Sequence, residues 1–200
     1  MDCIKLSLEK LKEESRKLAQ KAEKDGKPDL VIYVARGGYL IGKEIADYFR
    51  VPCAGIHAER RGGGLKERVA PILKMLPDWL KMMLRKMELK SGMHKTHKER
   101  NVYWDAADFE RIKKQDVKSI LLVDDSVDTG YSMIQVTEKL FADFGKDVII
   151  KTAAVNVWSK SEEVCATDYR IYTDTIIMTP MSKDSEEYAE FEELYHKRNR

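Results

Sequence analysis

The run ILLVDDSVDTGYSM at residues 120–133 joins an apolar stretch to two adjacent carboxylates, a third carboxylate three residues on, and a glycine-containing turn. Ile120, Leu121, Leu122 and Val123 form an unbroken apolar run, as expected of a parallel strand buried on both faces. Asp124 and Asp125 then fall at the carboxyl end of that strand, where open α/β sheets bind ligands. Asp128, Thr129, Gly130, Tyr131 and Ser132 supply a turn with successive free N–H groups, and Met133, Ile134, Val136, Leu140 and Phe141 follow on one side of a helix. Backbone donors at a helix N-terminus make an anion cradle, so the order of parts suits a sugar phosphate. A calcium loop does not fit, because with Gly130 at the sixth position Val127 and Val136 stand where oxygen ligands are required. An aspartic protease also uses Asp-Thr-Gly, but in a β-rich setting with a second carboxylate from another copy, and the helical pattern here argues against it.

The same grammar occurs once more upstream. In DLVIYVARGGYLIGKEIADYF, residues 30–34 read as a strand, Arg36-Gly37-Gly38 as a tight turn and residues 40–49 as a helix. A Gly-Gly pair lets the backbone approach a ligand closely. Before it, Leu8, Leu11, Leu18, Ala19 and Ala22 recur at helical spacing, predicting a covering helix that ends at the Gly26 and Pro28 break. Further strands are expected at 53–58, near 101–103 and at 148–157. The chain has 200 residues and 43% hydrophobic content, enough to bury the core of one domain spanning 1–200. Its 36 basic and 34 acidic side chains nearly cancel, which gives no general reason to expect nucleic-acid binding and makes any anion site local. Cys3, Cys53 and Cys165 are scattered and odd in number, an arrangement that suits a reducing cytoplasm rather than a disulfide framework. The first residues are too charged for a signal peptide, and no apolar run approaches the roughly 18 residues of a membrane span.

VDDSVDTGYS resembles the phosphoribosyl diphosphate (PRPP) signature of the type I phosphoribosyltransferases: an apolar strand, two acids, two variable residues, then D-T-G-x-[ST]. The resemblance runs from about residue 29 to residue 180 and implies a mainly parallel sheet flanked by helices, with a helical insertion after the second of the strands read here. It implies that Asp124 and Asp125 hold the ribose hydroxyls, directly or through Mg2+, that residues 128–132 bind the 5′-phosphate, and that Asp128 manages the proton of the incoming base. ARGGY, residues 35–39, is similar to the family's diphosphate loop, where the peptide is often cis and the amides face the leaving group. By that likeness Ala35, Arg36, Gly37 and Gly38 bind diphosphate.

Residues 59–66, ERRGGGLK, are basic and glycine-rich, and residues 62–100 exceed the usual length of an ordered loop, suggesting a lid or an added contact element. Arg60 and Arg61 are further candidates for diphosphate neutralisation, with a solvated charge cluster as the alternative. Leu73, Leu76, Leu80, Leu84 and Met87 make one helical face suited to packing, including a dimer contact. His94 and His97 lack a third ligand at metal spacing. Toward the end, Lys160 stands just past a strand, where 6-oxopurine phosphoribosyltransferases place a lysine that donates to the base. DYRIYTDTIIMTP, residues 168–180, resembles their closing segment, with Ile176 where an aromatic ring normally stacks and Ile177 beside it. Trp158 and Tyr172 are the candidate replacements for that ring. Residues 184–196 read as a charged surface helix, and 165–200 as a base-pocket segment plus that helix. The resemblance thus implies phosphoribosyl transfer from PRPP to a nucleobase, a 6-oxopurine by preference. An acceptor such as orotate, adenine or uracil, or a non-catalytic sensor of PRPP or nucleotide, remains the alternative.

Overall fold

The computed structural model describes residues 3–60 and 100–198, with Arg60 described by its backbone alone. The sheet is built outward from β2 (Leu30–Ala35), in which the first five residues are buried. Leu30, Ile32 and Val34 point into one apolar layer and Val31 into the other, so the run has no polar face because it has no wet side. β3 (Cys53–Arg60) pairs parallel with β2 on one side and β5 (Ser119–Val127) on the other. β6 (Ile149–Val157) and β7 (Tyr169–Thr173) continue the parallel sheet beyond β5, and β4 (Arg100–Trp104) closes the far edge antiparallel to β3. The order is therefore β4-β3-β2-β5-β6-β7. Winding reverses between β2 and β5, which makes their carboxyl ends the switch point where such sheets open a ligand crevice.

Helices cover both faces, as read from the sequence. α1 (Leu8–Glu23) starts at Ser7, whose hydroxyl accepts the Lys10 N–H at 3.1 Å, and buries Leu11, Leu18, Ala19 and Ala22. It packs with α2 (Tyr39–Phe49), which contributes Ile41 and Ile45 to the same layer. The opposite layer holds Ile112 of α3 (Ala106–Ile112) and Met133, Val136 and Leu140 of α4 (Tyr131–Phe144). Each such side chain taken fully from water contributes about 1.5–3 kcal/mol.

Two features depart from the sequence reading. A two-stranded parallel hood joins β1 (Cys3–Lys5) to β8 (Ile176–Met178), tying the amino terminus to the late segment, with Cys3 opposite Ile176. The charged C-terminal segment forms α5 (Tyr188–Lys197), but it is not simply a surface element: Phe191 is 1% and Tyr195 5% exposed, packed with Tyr33 and Tyr39. The expected insertion lies outside the described residues except for Arg100, and with it Arg61, the apolar face from Leu73 to Met87, and both His94 and His97.

Candidate active site

The side chains of the two acids of β5 lie within hydrogen-bonding reach of each other. Asp124 lines a concavity with Asp128, while Asp125 stands against the loop after β2: a Cβ added to Gly37 would lie 2.5 Å from Asp125 Oδ1. Asp124 Oδ1 accepts the Asp125 N–H at 2.8 Å, Asp125 Oδ1 accepts the Ser126 N–H at 3.0 Å, and the Ser126 hydroxyl donates to Asp128 Oδ1 at 2.9 Å. Burial, reinforced by repulsion from Asp125, pushes the Asp124 carboxyl well above the usual aspartate range. Burial likewise raises Asp125, with Asp128 adding repulsion. Neither Asp124 nor Asp125 forms an ion pair among the described residues.

The concavity beside Asp124, about 40 Å³, is lined by Ser126, Asp128, Thr129, Gly130 and Ser132 on the turn, and by Arg100 across it. Gly130 has φ +78° and caps α4, so its place needs a residue at ease in the left-handed region. Its Cα also faces the segment after β6, where a Cβ would lie 2.9 Å from Cys165 Cβ. Tyr131 begins the helix and is half-buried. Arg100 was missing from the sequence-based set. It opens β4 opposite Arg60, donates its N–H to Gln135 Oε1 at 2.8 Å, and donates from Nη1 to Ala58 O at 3.2 Å. Its only advance signal is a basic residue just before a short β-branched and aromatic run.

The loop after β2 has a cis peptide between Ala35 and Arg36, and its Gly38 N–H donates to Val34 O at 2.9 Å. Arg36 does not point openly into the crevice. Its guanidinium pairs with Glu192 and lies over the rings of Tyr195 and Phe191, at 4.9 Å and 5.7 Å from their centroids. Sequence spacing gave no hint that α5 reaches this loop.

Lys160 lies on the turn Ser159–Ser161 just after β6, exposed, with Nζ 5.7 Å from the centroid of the buried Trp158 ring. That turn neighbours the 128–132 turn, since a Cβ on Gly130 would sit 3.2 Å from Ser161 O. Ile176 is 3% exposed within the hood, whereas Ile177 is half-buried and packs with Tyr172 against the α1–α2 layer. The structure thus gathers Asp124, Asp125, Asp128, Thr129, Gly130, Ser132, Gly37 and Gly38 at the switch point, with Lys160 on the adjoining turn and Ile176 inside the hood.

A family model described as the phosphoribosyl transferase domain matches residues 6–185. The chain belongs to that family. Its chemistry is phosphoribosyl transfer, and PRPP and a nucleobase are the substrates the family implies. No curated protein matches the sequence. Among solved structures, a purine phosphoribosyltransferase from Pyrococcus horikoshii shares the fold at TM-score 0.57 and 19% identity, over 90% of this phosphoribosyltransferase and 93% of that chain. The xanthine-guanine-hypoxanthine phosphoribosyltransferase of Helicobacter pylori is similar at 0.57 and 17%, over 89% of each chain. The APRTase of Giardia lamblia complexed with 9-deazaadenine reaches 0.51 at 15%, over 84% of this chain and 79% of that one.

Proposed function

We propose that this phosphoribosyltransferase moves the phosphoribosyl group of PRPP to a 6-oxopurine, releasing diphosphate and a purine nucleoside monophosphate. The observation that carries the reading is the convergence of the Asp124–Asp125 pair, the Gly37–Gly38 loop and the 128–132 turn at one switch point, with an exposed lysine on the adjoining turn. Amides of the 128–132 turn and the N-terminus of α4 take the 5′-phosphate, with Arg100 supplying positive charge across the concavity. The loop from Ala35 to Gly38 faces the diphosphate, where Arg36, Arg60 and Arg61 are the cationic candidates. Displacement at C1 builds positive charge on the ribose and negative charge on the leaving group, so donors around the diphosphate stabilise the transition state. Asp128, oriented by Ser126, is placed to take the ring-nitrogen proton of the base, a role typically contributing about 10²–10⁴-fold.

Mg2+ fits the donor set. A buried and a half-buried carboxylate without a cationic partner favour a hard cation, and Mg2+ is commonly held by one or two carboxylates plus substrate oxygens. Among the described residues no group of three or more acids, histidines or cysteines forms a cage, so Asp124 and Asp125 would share the ion with the sugar and diphosphate. When bound it supplies charge neutralisation at the leaving group.

In this reading the β6 turn and the hood form the base side of one domain spanning residues 1–200, which acts as a dimer in the cytoplasm. Lys160 can donate to a 6-oxo group but not usefully to a 6-amino group, and a site built around such a bond discriminates strongly against an acceptor that leaves it unpaired. Turnover across hypoxanthine, guanine, xanthine and adenine tests this directly. The 6-oxopurines should be preferred, and Lys160→Ala should reduce their use while PRPP binding persists. A preference for adenine, or base selectivity unchanged in Lys160→Ala, would refute the acceptor assignment.

A further inference from the structure

Within the turn that carries Lys160 the Ser161 N–H and hydroxyl both bond to Trp158 O, at 2.8 Å and 2.7 Å, and Ser161 O accepts the Val164 and Cys165 N–H groups at 3.0 Å and 2.8 Å. What joins that turn to the opposite wall is Asp174, in the connection between β7 and β8. Its Oδ1 accepts the Ser159 N–H at 2.8 Å, its Oδ2 accepts the Ser159 hydroxyl, and its own N–H donates to Val157 O at 3.1 Å. The next residue repeats the stitch more weakly, with the Thr175 N–H 3.4 Å from Asn156 Oδ1. Asp174 adopts φ +51°, a left-handed conformation in which L side chains are uncommon and Asp, Asn and Gly are the tolerated choices. Backbone geometry alone would be met by any of the three. The carboxylate does more, because it takes both donors of the residue immediately before Lys160. Those bonds hold its acid form below the usual aspartate range, and Lys160 adds a smaller pull in the same direction. The side chain is exposed, so it fills no core.

We infer that Asp174 is a positioning residue for base recognition: it locks the Ser159–Lys160 turn to the start of β8, so that the lysine and the hood present one fixed wall to the base. The inference rests on the reading of Lys160 as the base contact. A donor displaced by about 1 Å from its productive place can cost on the order of 10²-fold, which is the scale on which such a tie matters.

The test is steady-state kinetics with hypoxanthine and PRPP on Asp174→Gly, Asp174→Asn and Lys160→Ala. Glycine keeps the left-handed turn but removes the carboxylate, whereas asparagine keeps the turn and one acceptor for the Ser159 N–H. KM for hypoxanthine should rise roughly ten- to a hundredfold in Asp174→Gly with kcat and KM for PRPP little changed, and Asp174→Asn should restore most of the loss. Lys160→Ala should raise the same KM. If Lys160→Ala raises it and Asp174→Gly does not, the positioning role is wrong while the base contact stands. If Lys160→Ala leaves it unchanged, the base contact fails and the inference fails with it. Equal loss of PRPP and base affinity in Asp174→Gly, or loss of the fold, would mean a general structural role and would also overturn it.

Discussion

Asp124 and Asp125 stand side by side at the end of one strand, and both are held where ionisation is unfavourable. A carboxyl whose folded pKa lies above its unfolded value binds more protons folded than unfolded. Its stabilising effect is complete below the unfolded pKa and is lost as pH rises through the folded one. Thermal unfolding in chelator should therefore show stability falling from about pH 4, the ordinary aspartate value, up through the raised values of the pair. The Asp124→Asn, Asp125→Asn protein should be flatter over that window, remain folded and bind PRPP far more weakly by calorimetry. A wild-type pH profile in the double variant would contradict the electrostatic reading. Gly37 offers a steric test at the same spot. Its alanine variant would place a methyl against the Asp125 carboxylate, which can turn aside only by giving up its bond from the Ser126 N–H, a loss of about 1 kcal/mol. Denaturant unfolding should show a loss of that order together with weakened PRPP binding, and neither should occur if the loop swings freely. These acids and glycines were legible in the sequence because short runs of adjacent residues specify them. Arg100 was not, since its place beside the 128–132 turn depends on β3–β4 pairing across a long connection.

At the scale of elements, α5 is where sequence reading fell furthest short. Phe191 and Tyr195 are four residues apart on one face, but the acidic and basic residues around them dominate the local pattern, and two aromatics make too short a stripe to announce burial. Phe191→Ala should cost about 3–5 kcal/mol in chemical denaturation, as expected of a truncated core aromatic. A surface element would lose less than about 0.5 kcal/mol. The same helix draws Glu192 onto Arg36, so on the proposed diphosphate role of Arg36 the ligand and Glu192 compete for one guanidinium. Ion pairs with this much exposure contribute up to about 1 kcal/mol. Glu192→Gln should accordingly tighten PRPP binding by no more than about fivefold in calorimetry, whereas weaker binding would show that Glu192 aims Arg36 at the ligand. The hood was hidden for a different reason. Strands of three residues carry no readable period, and only the fold brings Cys3 beside Ile176.

For the molecule as a whole, the two strand–turn–helix units were readable because each is a local sentence of apolar run, turn and periodic helix. Their meeting was not local: it comes from the sheet order, which sets β2 beside β5 and so brings the Ala35–Gly38 loop against the second acid of the pair. In the proposed function base choice sits at the third scale, on the Lys160 turn and a hood whose Ile176 is buried. That packing leaves Lys160 as the group on which the 6-oxopurine reading chiefly depends. The most direct test is product analysis after incubating the protein with PRPP, Mg2+ and hypoxanthine, guanine or adenine separately. The expected result is nucleoside monophosphate and diphosphate formed in equal amounts from hypoxanthine or guanine, little from adenine, and none with any base in the Asp124→Asn, Asp125→Asn protein. Diphosphate formed chiefly with adenine, or undiminished in the double variant, would contradict the account.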